Sequence, residues 1–214
     1  MTPGFEAALR QGVQALGLSL NDAQIAQLLG YHGLIQKWNK VYNLTAIRDP
    51  AEMLTHHLLD SLAIVAPLVR QTSGLAANML DVGAGAGLPG VVVAICCPQV
   101  SVTCVDAVAK KMAFVQQTAT ELKLPNLKAL HARVETLTGK YDIITSRAFA
   151  TLLDFVTGSR EALKPDIGVW LAMKAKDTAI EVAALSADVE VFHVEQLSVP
   201  RLDAQRCIVW MRAK

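Results

Sequence analysis

The feature that most constrains this chain is a glycine-rich stretch, MLDVGAGAGLPG, at residues 79–90. A short apolar run ends there on Asp81, and the residues that follow include Gly83, Gly85, Gly87 and Gly90. A short apolar run before such a turn is typical of a buried strand that leads into a helix. Because glycine lets the backbone approach a ligand closely, the stretch predicts a binding loop at the end of a strand.

From residue 76 onward, β-branched runs alternate with amphipathic stretches. The strand candidates are NMLDV, VSVTCVD, LKALHARV, YDIITSRA and GVWLAMKA, and the helix candidates are PGVVVAICCP, KKMAFVQQTATELKL and TLLDFVTGSREALKP. The final pair, EVFHVEQLSV and QRCIVWMRA, predicts a terminal hairpin. The alternation predicts an α/β fold with a mostly parallel sheet and helices on both faces, which binds ligands at the carboxyl ends of its strands.

Residues 1–75 have a different, helical pattern. Asn21 and Gln24 form a capping-box pattern at the start of NDAQIAQLLGYHGLIQKWNK, and Pro50 is placed to open a further helix, PAEMLTHHLLDSLAIVAPLV. We therefore predict two parts, a helical N-terminal extension at 1–75 that packs on a main domain at 76–214.

Composition narrows the class of protein. Apolar residues make up 52% of the chain, and the formal net charge of +1 argues against nucleic-acid binding through bulk charge alone. The four cysteines form no C-x-x-C pair, so a structural zinc site is not expected. The N-terminus lacks a signal-peptide pattern, and the apolar runs are too short to cross a bilayer. These observations predict a cytoplasmic protein with no metal and no membrane association.

Two ligand classes compete for the glycine loop. Gly85-x-Gly87-x-x-Gly90 fits the dinucleotide pattern, whereas Asp81-x-Gly83-x-Gly85-x-Gly87 is typical of methyltransferases that use S-adenosylmethionine. The charge of Asp81 favours the second, because a carboxylate repels a pyrophosphate and attracts the ammonium group of S-adenosylmethionine. Pro89 also removes one backbone donor where the helix begins.

Acidic residues near the ends of the next two strands indicate a nucleoside. Asp106 ends the second strand, and its spacing along the chain from the glycine loop suits a carboxylate that binds ribose hydroxyls. Glu135 and the backbone around Val134 follow the third strand and are candidates to accept from the adenine amino group. A ribose is common to NAD and S-adenosylmethionine, so these residues do not discriminate between the two cofactors.

Several longer motifs identify a family. They are WNKVYNLTAIRDP (38–50), HHLLDSL (56–62), LDVGAGAGLPG (80–90), VDAVAKKMAFV (105–115), HARVE (131–135), ITSRAFA (144–150) and LAMKA (171–175). With these motifs the chain resembles, over residues 20–212, the bacterial small-subunit rRNA guanine-N7 methyltransferases, first named as glucose-inhibited division protein B. The resemblance implies a Rossmann-like class I methyltransferase fold with a helical extension. It also implies methyl transfer from S-adenosylmethionine to N7 of one guanine in the 530 loop of 16S rRNA, in free rRNA or in the small ribosomal subunit.

The resemblance also implies site residues. With Asp81 and Gly87 from the loop chemistry, the predicted cofactor set is Asp81, Gly83, Gly85, Gly87, Leu88, Asp106, Val134, Glu135 and Arg147. The predicted substrate-binding set is Arg48, His56, Lys110, Arg133 and Arg147.

The chemistry of guanine N7 predicts no catalytic base. The N7 lone pair is free, so attack needs no prior deprotonation, and the strand YDIITSRA lacks the N-P-P-Y tetrapeptide of exocyclic-amino methyltransferases. We predict that the protein acts by positioning its reactants, without a general base. We also predict that it acts as a monomer. Two other classes stay open at this point: an NAD-dependent oxidoreductase, and a noncatalytic RNA-binding or ribosome-assembly factor.

Overall fold

A computed structural model of the chain describes residues 3–147, 149, 151–175 and 178–214. Its centre is a sheet in the order β3-β2-β1-β4-β5-β7-β6. The strands are β1 Ala77–Val82, β2 Val100–Asp106, β3 Leu127–His131, β4 Ile143–Ser146, β5 Val169–Ala175, β6 Val189–Leu197 and β7 Arg206–Ala213. Strands β1 to β5 are parallel, and β7 is antiparallel to both β5 and β6. The predicted parallel sheet and terminal hairpin are confirmed.

The helices cover both faces of this sheet. They are α1 Pro3–Ala15, α2 Asp22–Tyr42, α3 Pro50–Met53, α4 Asp60–Leu62, α5 Val65–Thr72, α6 Gly90–Cys96, α7 Ala109–Glu121, α8 Leu152–Ser159 and α9 Ala179–Ala183. The capping box of α2 is formed, because Asn21 Oδ1 accepts from the Gln24 amide at 2.9 Å and Gln24 Oε1 accepts from the Asn21 amide at 3.0 Å. Among the described residues, no helix is both long and apolar enough to cross a membrane.

The stretch that follows Pro50 is less regular than the sequence predicts. Pro50 does open a helix, with Asp49 as its N-cap, but a π-helical segment at Leu54–Leu59 separates α3 from α4, and a turn separates α4 from α5. The Asp60 amide accordingly bonds to the Thr55 carbonyl, five residues back. The hydrophobic period of this stretch does not reveal such a change in hydrogen-bond register.

The N-terminal helices are joined closely to the sheet domain. The buried Tyr31 hydroxyl on α2 donates to the Ala86 carbonyl in the glycine loop at 2.7 Å, and Gln24 donates to two carbonyls at the end of α6. One cluster of buried apolar side chains includes residues from both parts, from Leu9 on α1 to Trp210 on β7. These contacts cross the predicted boundary at residue 75, and the division of the chain into two parts remains a prediction from the sequence.

Gly90, the first residue of α6, provides a stability test. A Cβ at this position would lie 2.5 Å from Cys104 Sγ and 2.8 Å from Asp81 Oδ2, both on buried strands. We expect Gly90→Ala to lower the free energy of unfolding by about 2 kcal/mol, because the close packing of α6 on the sheet has no room for a methyl group. Chemical denaturation followed by circular dichroism measures the difference.

Gly33→Ala on α2 is the matched control. A Cβ at this position meets nothing within 4 Å, so the substitution should leave the stability unchanged or raise it by up to about 1 kcal/mol. Equal stability of the Gly90 variant and the wild type would contradict the packing argument.

Candidate cofactor and substrate site

The glycine loop connects β1 to α6 in a left-handed backbone conformation. Gly83, Gly85 and Gly87 have φ angles of +64°, +59° and +89°. Other residues rarely adopt these angles, so the three glycines fix the path of the loop. Gly87 has a second constraint, since a Cβ there would lie 2.4 Å from Val91 Cγ2 on α6.

A cleft of about 220 Å³ opens beside this loop at the carboxyl edge of the sheet. It lies at the ends of β1 and β2, next to residues 132–135, which follow β3. Its lining is formed by Val82, Gly83, Val105, Asp106, Ala107, Ala132, Arg133, Val134, Glu135 and Phe149. A lining of apolar side chains with two carboxylates suits a nucleoside, whose base is flat and apolar on its faces and whose sugar presents hydroxyls.

Asp106 is a lining residue of this cleft that three contacts hold in place. Its Oδ2 accepts from the Gly85 amide at 3.0 Å and its Oδ1 accepts from the Val108 amide at 2.8 Å. The ammonium of Lys111 lies 3.7 Å from the carboxylate. Each carboxylate oxygen keeps a second lone pair, so a pair of ribose hydroxyls can still donate to this group.

Asp81 is fully buried next to the loop rather than in the wall of the cleft. Its Oδ2 accepts from the Gly90 amide at 2.8 Å, and the Cys104 thiol donates to the same oxygen at 3.9 Å. Its Oδ1 has no hydrogen-bond partner in the described part of the chain. An unpaired buried carboxylate oxygen two residues before Gly83 fits a cationic ligand group, such as the ammonium of S-adenosylmethionine, or a water molecule that bridges to it.

Burial raises the pKa of Asp81 to about 7, although the Gly90 amide and the positive charge of Arg147 act in the opposite direction. The native carboxyl thus keeps its proton over a range in which the unfolded chain has lost it, between about pH 4 and pH 7. Without a bound cation, this group lowers the stability of the fold as the pH rises through that range. A cation placed beside Asp81 reverses the effect by stabilising the carboxylate.

Of the other predicted cofactor residues, Arg147 lies outside the lining of this cleft, and the remaining four fall into two groups. Val134 and Glu135 line the cleft in a 3₁₀ turn after β3, with Val134 buried and Glu135 exposed. Gly87 and Leu88 do not line it, because both are buried where the loop meets α6. Their predicted cofactor contacts stay untested predictions, while the structure assigns them a packing role.

Arg147 follows β4 and connects the site to the N-terminal helices. Its Nη1 donates to the His56 carbonyl at 2.7 Å and lies 3.4 Å from Asp60 Oδ2. The other oxygen of Asp60 accepts from Arg206 Nε at 3.1 Å. Sequence reasoning did not single out Asp60 or Arg206. Asp60 lies within the family motif HHLLDSL, whereas nothing in the sequence marks Arg206.

The remaining predicted substrate residues are not all in one place. Arg133 lines the cleft beside the glycine loop and is exposed, and Lys110 is exposed at the start of α7. Arg48 instead donates to Asn43 Oδ1 at 3.3 Å and, with Lys40, lines a separate cleft of about 370 Å³ between α2 and α3. His56 is half-buried and meets Arg147 through its carbonyl.

In the parts of the chain that the structure describes, no group of three or more potential ligands is placed to hold a metal ion.

His57 has a structural role next to the site. Burial lowers the pKa of His57 to about 4, and its Nε2 lies 2.9 Å from the Thr45 hydroxyl. This neutral histidine holds the loop after α2 against the π-helical segment.

Comparison with known proteins identifies the family. A family model described as rRNA small subunit methyltransferase G matches residues 24–209. The protein named ribosomal RNA small subunit methyltransferase G from Polaromonas sp. (strain JS666) is 64% identical over 217 residues, which cover 99% of this chain and 95% of the relative. The protein of the same name from Acidovorax sp. (strain JS42) is 62% identical over 216 residues, which cover 97% of this chain and 95% of the relative.

Solved structures match the fold at low sequence identity. Magnesium protoporphyrin IX methyltransferase from Synechocystis, solved with bound S-adenosylmethionine, aligns with a TM-score of 0.62 at 16% identity over 91% of this chain and 99% of that one. TrmN from Thermus thermophilus aligns with a TM-score of 0.57 at 16% identity over 75% and 53% of the two chains. The fold is that of the class I methyltransferases, and on its sequence the chain belongs to the ribosomal RNA small subunit methyltransferase G family, as the motifs predicted.

Proposed function

We propose that this protein transfers a methyl group from S-adenosylmethionine to N7 of a single guanine in the 530 loop of 16S rRNA. The observation that carries the proposal is the unpaired, buried carboxylate oxygen of Asp81 beside the glycine loop, in a chain of this family. The position of the target guanine comes from the family resemblance. The substrate is 16S rRNA, free or in the small ribosomal subunit, and we expect the enzyme to act as a monomer in the cytoplasm.

The residues of the site would divide the work of binding the cofactor. Asp81 would receive the ammonium group, Asp106 the ribose hydroxyls, and Glu135 with the backbone of Val134 the adenine amino group. Gly83 and Gly85 would let the backbone pass close to the amino-acid portion. S-adenosylmethionine, when bound, supplies a methyl group that its sulfonium already activates.

No residue needs to remove a proton from the acceptor. The N7 lone pair lies in the plane of the guanine ring and is free to attack, so the task of the protein is to align N7 with the methyl–sulfur bond and to exclude water. Positive charge moves from the sulfur to the ring during transfer, so a hydrogen-bond acceptor or carboxylate near the ring would favour that charge. Arg133, Arg147 and Lys110 would contact RNA phosphates around the opening of the cleft.

The two other classes receive less support. An NAD-dependent oxidoreductase would bring a pyrophosphate to the glycine loop, where the Asp81 carboxylate opposes it. A noncatalytic assembly factor would have no need of the acidic set Asp81, Asp106 and Glu135, which this chain retains.

A methylation assay tests the function directly. Purified protein is incubated with methyl-labelled S-adenosylmethionine and small ribosomal subunits that lack N7-methylguanine, and the label is mapped by strand cleavage selective for that base. We expect label at one guanine in the 530 loop. Cofactor binding without transfer to subunits or to free rRNA would contradict the assigned substrate, and a folded protein that binds no cofactor would contradict the site.

The pH dependence of cofactor binding tests the role of Asp81. Because only the carboxylate attracts the ammonium group, affinity for S-adenosylmethionine should rise roughly tenfold from about pH 5.5 to about pH 7, a range below the usual pKa of about 7.7 for an α-amino group. Isothermal titration calorimetry measures the affinity. In Asp81→Asn the pH dependence should disappear and binding at neutral pH should weaken, while the uncharged amide keeps the bond to Gly90.

Methylthioadenosine, which lacks the amino-acid portion, is the control ligand. Its affinity should not change with pH in either protein. A wild-type titration with the same flat profile for both ligands would rule out contact between Asp81 and the ammonium group.

A further inference from the structure

Asp60 holds two arginines that come from distant parts of the chain. Its carboxylate is buried, with a side chain only 6% exposed, and each of its oxygens binds a different guanidinium. Arg147 Nη1 lies 3.4 Å from Oδ2, and Arg206 Nε lies 3.1 Å from Oδ1. One negative charge between two positive charges leaves this cluster with a net charge of +1.

The π-helical segment contributes to this arrangement. An α-helix would pair the His56 carbonyl with the amide of Asp60, four residues on, but here the Asp60 amide bonds to the carbonyls of His57 and Thr55. The His56 carbonyl instead accepts from Arg147 Nη1 at 2.7 Å. The change in helix register therefore provides a second acceptor that fixes the direction of the Arg147 side chain.

Both arginines retain donors for a ligand. Each guanidinium carries five N–H groups, and the contacts to Asp60, the His56 carbonyl and the Gln205 carbonyl use only part of them. The side chains of Arg147 and Arg206 are each 20% exposed, so some of the guanidinium surface reaches solvent. Planar guanidinium groups of this kind bind phosphate oxygens through paired hydrogen bonds.

The cluster lies at the carboxyl edge of the sheet, the same edge at which the cleft beside the glycine loop opens. Arg147 directly follows β4, and Arg206 begins β7 opposite Ala175, the last residue of β5. The cleft beside the glycine loop lies at the ends of β1, β2 and β3. In the sheet, β4 separates these three strands from β5 and β7, so the cleft and the cluster lie on either side of β4. A groove of about 620 Å³ adjoins Arg206, and its lining also includes Gln205, Ser198 and one acid, Asp203.

We infer that Asp60 is a positioning residue that holds Arg147 and Arg206 together as a binding site for an RNA phosphate next to the target base. The inference rests on the proposed function, and it adds two residues, Asp60 and Arg206, to the substrate site. A phosphate bound between the two guanidinium groups would fix the RNA backbone at the edge of β4 and β7. The target base would then be directed toward the cofactor beside β1.

Arg206→Ala tests the phosphate site, with Arg212→Ala as its matched control. Arg206 begins β7, and Arg212 lies near the other end of the same strand, where it pairs with Glu190 on β6. Both variants therefore remove one positive charge from β7. For Arg206→Ala we expect KM for the small subunit to rise about tenfold and the slope of log affinity against log salt to fall by about 0.7 to 0.9, as the loss of one phosphate contact predicts. The dissociation constant for S-adenosylmethionine should not change, and the Arg212 variant should match the wild type.

Asp60→Asn separates positioning from a purely structural role. The variant raises the net charge of the cluster to +2, so fluorescence anisotropy should show tighter binding to an unrelated RNA oligonucleotide, while kcat on the small subunit falls at least about tenfold because the arginines lose their fixed arrangement. A residue that only stabilises the fold would lower the melting temperature and leave kcat of the folded enzyme unchanged. That result would overturn the positioning role.

The failures of the two proposals can be told apart. A wild-type enzyme that methylates the small subunit, together with an Arg206 variant whose KM and salt slope match those of the Arg212 control, would refute the phosphate site alone. A wild-type enzyme that transfers no methyl group would refute the proposed function. In that case, or if Asp60→Asn does not fold, the salt dependence of RNA binding by the two arginine variants still decides whether Arg206 contacts a phosphate.

Discussion

The bond between the Gly90 amide and the buried carboxyl of Asp81 is the contact on which the site depends. It ties the first residue of α6 to the end of β1, and the glycine loop must span the gap between them through left-handed backbone angles. The same carboxyl keeps one oxygen unpaired. Because an isolated buried carboxylate is costly, the site favours a ligand that brings a positive charge to this place.

The N-terminal helices contribute to the site as well as to the core. Tyr31 on α2 holds the glycine loop through the Ala86 carbonyl, and the π-helical segment holds Arg147 through the His56 carbonyl. Both contacts join an element before residue 76 to a loop at the carboxyl edge of the sheet. The helical extension therefore positions the two loops between which the cofactor and the substrate would meet.

Much of the fold was predictable because its signals are local. The short apolar runs of β1, β2 and β5, the capping box at Asn21 and the hairpin of β6 and β7 each depend on residues close together in the chain. Asp106 and Val134 could also be assigned to one cleft, since the ends of parallel strands meet at one edge. Gly87 and Leu88 show the limit of this reasoning, because a motif does not separate residues that line a cleft from residues that pack beneath it.

The sequence by itself determined the class of fold, the family and the chemistry that the glycine loop favours, because the charge of Asp81 and the spacing of the glycines are properties of one short segment. Only the tertiary structure decided which charges meet. Asp60 lies 87 residues from Arg147 and 146 residues from Arg206, and no pattern in the chain relates the three. Their contact follows from a change in helix register and from the antiparallel return of β7, which depend on packing across the whole domain.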